Sequence, residues 1–254
     1  MPEFFEQFTS EEVALFLGLV TGLIFGAFAQ QSRFCLRAAC IEFWRNKPRA
    51  KFSIWLFTFS TALILTQLLM LDGNLEKSSI RQLVTTGSMS GAILGGTLFG
   101  IGMVMARGCA SRLLVLSATG NLRALVAGLV VTIVSQAALR GILSPARSEA
   151  SSWWLVEGSS RDLSMYLPEY GAITMGVLLF IAAIYLAIKN KTKGYYQFGA
   201  VVVGGSIALG WGLTSWHAAN SFDIISVKSV SFTGPSADTL MALINEPEFP
   251  FSFD

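Results

Sequence analysis

Charge is scarce in this chain. Asp, Glu, Lys and Arg make up 13% of its 254 residues, about half the share found in an average soluble domain, while 53% of residues are hydrophobic. That balance excludes an ordinary water-soluble domain and makes lipid the natural solvent. Histidine is reduced to His217, which rules out a paired-histidine haem or a multi-histidine metal centre. The acidic residues fall mostly between the apolar runs, so a proton relay inside the membrane has little to be built from. Cysteine occurs three times, and Cys35 and Cys40 do not form a Cys-x-x-Cys pair, which weakens a thiol oxidoreductase reading. Neither a phosphate-binding glycine loop nor a nucleophile elbow occurs, so ATP-driven and hydrolytic machinery is not supported and no enzyme, cofactor or metal is expected. A net charge of +2 gives no electrostatic footprint for nucleic acid.

What is present is length of apolar chain. Runs near 13–31, 52–71, 85–106, 121–142, 169–188 and 197–216 each approach the roughly 20 residues that cross about 30 Å of hydrocarbon. The fold class expected is therefore an all-α integral membrane protein with about six transmembrane helices. The first run is too long and glycine-rich for a signal peptide and has acidic flanks, so it is read as retained. Twelve of the eighteen basic residues, from Arg33 to Lys51, at Arg107, Arg112 and Arg123, and from Lys189 to Lys193, fall on one side of a six-span topology. The positive-inside rule makes that side cytoplasmic. Acidic residues Glu3, Glu6, Glu11, Glu12, Asp72, Glu76, Glu149, Glu157, Asp162, Glu169, Asp223, Asp238, Glu246 and Glu248 fall on the other, with Glu42 the exception, so both termini are expected in the periplasm.

The chain also repeats itself. Gly22, Phe25, Gly26, Arg33 and Cys35 recur as Gly96, Phe99, Gly100, Arg107 and Cys109, every pair offset by 74 positions. Such duplication is common in membrane transporters. Gly18, Gly22 and Gly26 line one helix face, and Gly87, Gly91 and Gly95 another, which serves close helix packing or, ahead of each cysteine, a site. Met105 to Leu122 crosses a Gly-Cys-Ala-Ser turn and a short apolar run; it fits either a half-helix dipping into the membrane beside a cavity or a surface loop with an amphipathic turn. Residues 144–168, with Pro145, Ser151, Ser152, Trp153, Trp154, Gly158, Ser159 and Ser160, read as an interfacial loop. From His217 onward no spanning run is expected, and the chain ends on EPEFPFSFD.

Cys35 has Arg33 and Arg37 nearby; Cys109 has Arg107 and Arg112. A cation beside a thiol favours thiolate, and an arginine fork binds oxyanions, so each copy is able to hold a sulfur-containing anion and present sulfur to it. The plainer reading makes the arginines topology signals and the cysteines small fillers. Preservation of Arg-x-Cys in both copies favours the site. Cys40 has no counterpart in the second copy and is read as structural; His217, beside Trp216, is read as an interfacial polar residue.

The stretches GLIFGAFAQQSRFCLRAA, from Gly22 to Ala39, and GGTLFGIGMVMARGCASRLL resemble the two glycine-cysteine signatures in the first half of the YeeE/YedE sulfur transport family of bacterial inner-membrane proteins. LGWGLTSW followed by FDIISVKSVSFTGPSADTLMAL is similar to the segment that opens that family's second half. The resemblance implies short inward-dipping helices whose cysteines pass thiosulfate inward along a cysteine relay. Carried over, Cys109 in the turn Gly108-Cys109-Ala110-Ser111 becomes a pathway cysteine and Cys35 its first-repeat match; Arg107 and Arg33, read from their own nearness to the thiols, complete the substrate-binding set. The family's second half carries a further Gly-Cys signature, whereas here no cysteine follows Cys109. The expected division is then 1–143 as a first half holding both repeat copies, 144–168 as a periplasmic interfacial loop, and 169–254 as the start of a truncated second half. The function expected is permeation of thiosulfate or a related sulfur anion. The alternatives are a membrane subunit docking a small cytosolic sulfur-carrier protein on the basic segment from Arg33 to Lys51, a selenium-compound transporter, and a thiol oxidoreductase pairing Cys35 with Cys109.

Overall fold

Six helical stretches in the computed structural model are long and apolar enough to cross a membrane: Glu12–Gln31, Ala50–Leu71, Met89–Ala118 (interrupted between Met105 and Ala110), Leu122–Leu139, Gly171–Lys189 and Gly194–Asn220. The structure describes residues 9–157, 160, 168, 170–221 and 225–245. Outside the described residues lie Glu3, Glu6, Gly158, Ser159, Asp162, Glu169, Asp223 and the segment EPEFPFSFD. The chain is an all-α membrane protein, with a two-residue pairing of β1 (Gly87–Ser88) and β2 (Leu155–Val156) as the sheet among the described residues. By proximity it forms two units, residues 1–86 with 157–230, and residues 87–156 with 231–254.

In the first unit, α1 (Ser10–Gln31) starts on a capping box: the Glu12 N–H donates to Thr9 Oγ1, and the Thr9 N–H donates to Glu12 Oε2 at 2.7 Å. A short helix α2 (Leu36–Trp44) leads to α3 (Ala50–Leu71), and α4 (Arg81–Val84) follows a 3₁₀ turn at Lys77–Ser79. Helices α9 (Gly171–Lys189) and α10 (Gly194–Asn220) pack on α3. Ile54, Leu56 and Phe57 of α3 are buried with Ala183, Ala187 and Ala200. The approach is close because α10 carries glycine: a Cβ at Gly204 would lie 2.5 Å from the Thr58 carbonyl oxygen and 2.8 Å from Thr61 Cβ. Beside it the Thr58 hydroxyl donates to the Ala200 carbonyl at 3.0 Å.

In the second unit, α5 (Met89–Met105) is capped by Ser88, whose Oγ accepts the Gly91 N–H at 2.7 Å. The short helix α6 (Ala110–Ala118) and the longer α7 (Leu122–Leu139) follow, and Asn121 Oδ1 caps α7 through the Ala124 N–H. Ser144–Ser152, expected as loop, is a helix, α8, with Pro145 in its first turn, where a missing N–H costs nothing. A thirteen-residue helix, α11 (Thr233–Asn245), packs on α7, and Arg140 pairs with Asp238 at 3.2 Å.

The repeat extends through the backbone. Helix α1 ends at Gln31 and α5 at Met105; Arg33 and Arg107 take the left-handed conformation (φ 53° and 59°). Cys35 and Cys109 each precede a nine-residue helix. Asn46 and Gly120 then take left-handed φ (50° and 84°) before a long helix begins. The helix ends, the left-handed residues and the cysteines are all displaced by the same 74 positions as the matched residues, while the long helices that follow start at Ala50 and Leu122.

Candidate functional site: two thiols at the starts of short helices

The first thiol is placed by the way α1 stops. With Arg33 left-handed, its N–H donates to the Gln30 carbonyl (3.2 Å) and the Phe34 N–H reaches back to Ala29 (3.1 Å), the paired bonds of a Schellman ending. The chain turns and Cys35, in extended conformation, becomes the N-cap of α2; its carbonyl accepts the Ala39 N–H at 3.2 Å. Ser32, fully buried, anchors the turn by donating to the Phe28 carbonyl at 2.7 Å. Gly199 of α10 allows this close approach, since a Cβ there would lie 3.2 Å from Ser32 Cβ.

The second thiol is built alike. The Arg107 N–H donates to the Val104 carbonyl at 3.3 Å, Gly108 follows, and Cys109 caps α6 with its carbonyl on the Leu113 N–H at 2.9 Å. A side chain at Gly108 would press on Leu113 Cδ2 at 3.3 Å. Cys109 is buried (5% exposed) and Cys35 half-buried; both are free thiols. Cys109 Sγ lies 3.3 Å from Ser111 Oγ, so thiol and hydroxyl share one hydrogen bond.

Neither cysteine side chain makes a capping hydrogen bond, and neither short helix has an acidic residue in its first turn. The first amides of α2 and α6 therefore keep donor capacity at the positive end of a helix, beside a sulfur. Helix starts with free amides are in general suited to anions. The expected site residues assemble in two groups: Arg33 and Cys35 in the first unit, and Arg107, Gly108, Cys109, Ala110 and Ser111 in the second. The Arg33 guanidinium is held 5.7 Å from the Tyr196 ring centroid, with Lys51 Nζ on its carbonyl at 3.4 Å.

Three residues of the first group carried no sequence signal for this role: Tyr196, Ser32 and Gly199 all act through tertiary contact. Arg37, flagged by nearness to Cys35, has a buried Nε with no hydrogen-bond partner among the described residues. It is donor capacity in the first turn of α2. Beside Ala110 lies a cavity of about 10 Å³ lined by Leu113, Leu114, Thr132, Thr233 and Ser236, room for about one water. An open cleft of about 490 Å³ runs past Met105, Ala106 and Arg123. At the other end of the first unit, a cavity of about 670 Å³ is lined by Asn74, Glu76, Ser215 and Trp216, where the Glu76 carboxylate disfavours anions.

His217, read as an interfacial polar residue, is buried at the end of α10, its Nε2 3.0 Å from the Ser10 carbonyl oxygen, tying the end of α10 to the start of α1. Cys40 lies exposed on α2.

Fold and site together define a multi-pass helical membrane protein whose duplicated helix break presents a thiol at a helix start. Residues 31–253 match the family described as Sulphur transport, and the chain belongs to it. Over 141 residues, 56% of this chain, it is 31% identical to the Thiosulfate transporter TsuA of Spirochaeta thermophila. That match covers 39% of the relative, so the chain spans about two fifths of that protein's length.

Proposed function

We propose that this chain forms a bacterial inner-membrane permeation path for thiosulfate or a closely related sulfur anion, with both termini in the periplasm and inward movement past Cys109 and Cys35. Residues 1–143 are then a first half containing both repeat copies, 144–168 the connection, and 169–254 the opening of a second half.

The observation that carries this reading is the repeated start of a short helix. At Cys35 and again at Cys109, a thiol without a capping bond sits on amides unopposed by any acid. An S–H donates to the terminal sulfur of thiosulfate while the amides take its oxygens; no covalent bond forms and nothing is oxidised. The Ser111 hydroxyl, 3.3 Å from Cys109 Sγ, releases that thiol to the anion by becoming an alternative donor. Arg37, whose buried Nε has no partner among the described residues, supplies positive charge in the first copy. Membership of the sulphur transport family and the likeness to a named thiosulfate transporter support the substrate class. Docking of a sulfur-carrier protein draws on no observation beyond the exposure of the basic segment, and nothing favours a selenium compound over a sulfur one.

The test is uptake of radiolabelled thiosulfate by sulfur-limited cells expressing the chain, beside Cys109→Ala and Cys35→Ala at matched membrane levels. Losing a hydrogen bond to a charged group lowers uptake by about tenfold or more at either cysteine. Wild-type uptake that both variants retain in full would sink the thiol path.

A further inference from the structure

Between α2 and α3, on the basic side of the first unit, lies a cavity of about 550 Å³ that the proposed path does not use. It is lined by Ile41, Glu42, Arg45, Lys47 and Arg49. The three cations are exposed, and none of them makes an ion pair among the described residues. The single acid is engaged elsewhere: Glu42 Oε2 accepts the Arg49 N–H at 3.0 Å and the Phe52 N–H at 2.9 Å, so its charge serves the N-terminus of α3. The cavity is left with three cations and one occupied carboxylate, an anion receptor by charge.

From the same first turn an aromatic row descends. Phe43 stacks on Phe52 (5.4 Å between centroids), Phe52 on Trp55 (6.1 Å), and Trp55 on Phe59 (5.2 Å). Positions 52, 55 and 59 share one helical face. Both ends of the row are open, with Phe43 64% and Phe59 44% exposed, and Trp44 beside it is 88% exposed. Because α3 is long and apolar enough to span a bilayer, the row runs from the polar boundary into hydrocarbon.

We propose that this is a binding site for an anionic phospholipid, with the headgroup phosphate among Arg45, Lys47 and Arg49 and an acyl chain lying along Phe52, Trp55 and Phe59. Cations at the membrane boundary recognise acidic headgroups, and aromatic rings belong at that depth. Free phosphate satisfies the cations and leaves the row unexplained. An acidic soluble protein likewise has no access to Phe59, well inside the span.

The experiment is native mass spectrometry of the purified chain in micelles doped with equal phosphatidylglycerol and phosphatidylcholine. Wild type retains phosphatidylglycerol by about tenfold or more over phosphatidylcholine, since each cation adds to the attraction. The preference falls as salt is raised. Arg45→Gln/Lys47→Gln/Arg49→Gln brings the two lipids to parity, Trp55→Ala/Phe59→Ala lowers phosphatidylglycerol retention, and Arg147→Gln, an exposed arginine of α8, changes neither. Should the triple variant fail to fold, the salt titration of wild type decides. Equal retention of the two lipids by wild type overturns the proposal, as does displacement of phosphatidylglycerol by millimolar inorganic phosphate, the mark of a bare anion site. Absence of lipid preference together with saturable binding of a purified acidic sulfur-carrier protein would make the surface a protein dock and equally overturn it.

Discussion

Arg107 spends its side chain and its backbone on different tasks. Its φ of 59° is a region that costs a non-glycine residue about 1–2 kcal/mol, and the turn that delivers Cys109 depends on it. Glycine takes that conformation freely while losing more entropy on folding, so Arg107→Gly is expected within about 0.5 kcal/mol of wild type in detergent unfolding. Any fall in uptake by that variant then reports the guanidinium alone. Arg107→Val, β-branched and unable to relax, destabilises by about 1–2 kcal/mol in the same measurement. Ser111→Ala removes a neutral partner from Cys109 and lowers uptake by about two- to tenfold, less than Cys109→Ala. Arg-x-Cys was legible in the sequence because it occurs twice. The left-handed arginine was not, because local propensity assigns that conformation to glycine and asparagine; only the repeat offset exposes Arg33 and Arg107 as one structural position.

At the scale of helices, most of the glycines that set packing are not those that advertised it; Gly91 is the exception, where a Cβ would lie 3.2 Å from Ser151 Oγ. A Cβ added at Gly18, Gly22 or Gly26 meets no atom within 4 Å, whereas Gly176 would meet Ile64 Cγ1 at 2.7 Å and Gly204 the Thr58 carbonyl oxygen at 2.5 Å. Gly204→Val therefore destabilises the first unit by about 1–3 kcal/mol, the usual cost of overpacking, while Gly22→Ala is neutral or stabilising; thermal unfolding in detergent compares them. Spacing shows that a helix face is small and stays silent about which helix arrives there. The spans were legible to within a few residues because apolar length is a strong signal, as at 52–71 against Ala50–Leu71. Ser144–Ser152 was not, since Pro145 and the serines mark a loop and a helix start equally well, and α8 is held by contact with α5 and α7. His217 belongs to the same class: its burial against Ser10 joins residues far apart in sequence, and no periodicity announces such a contact.

Across the whole molecule, each repeat copy builds a unit of its own and recruits helices from later in the chain: α9 and α10 join the first copy, α11 the second. The proposed inward transport rests on orientation in the membrane, for which the basic residues are the signal. Lys47 and Lys191 lie in the connections α2 to α3 and α9 to α10, at one end of the first unit, and are exposed; Ser78, in the 3₁₀ turn after α3, lies at the opposite end of that helix and is also exposed. An impermeant maleimide applied to spheroplasts bearing Cys40→Ser with one added cysteine separates the two ends. Ser78→Cys is expected to react in intact spheroplasts, and Lys47→Cys and Lys191→Cys only after permeabilisation. The opposite pattern would put the basic ends outside, place the Cys35 turn near the outer face, and reverse the direction in which an anion meets the thiol, leaving the geometry of each turn intact but its proposed use wrong.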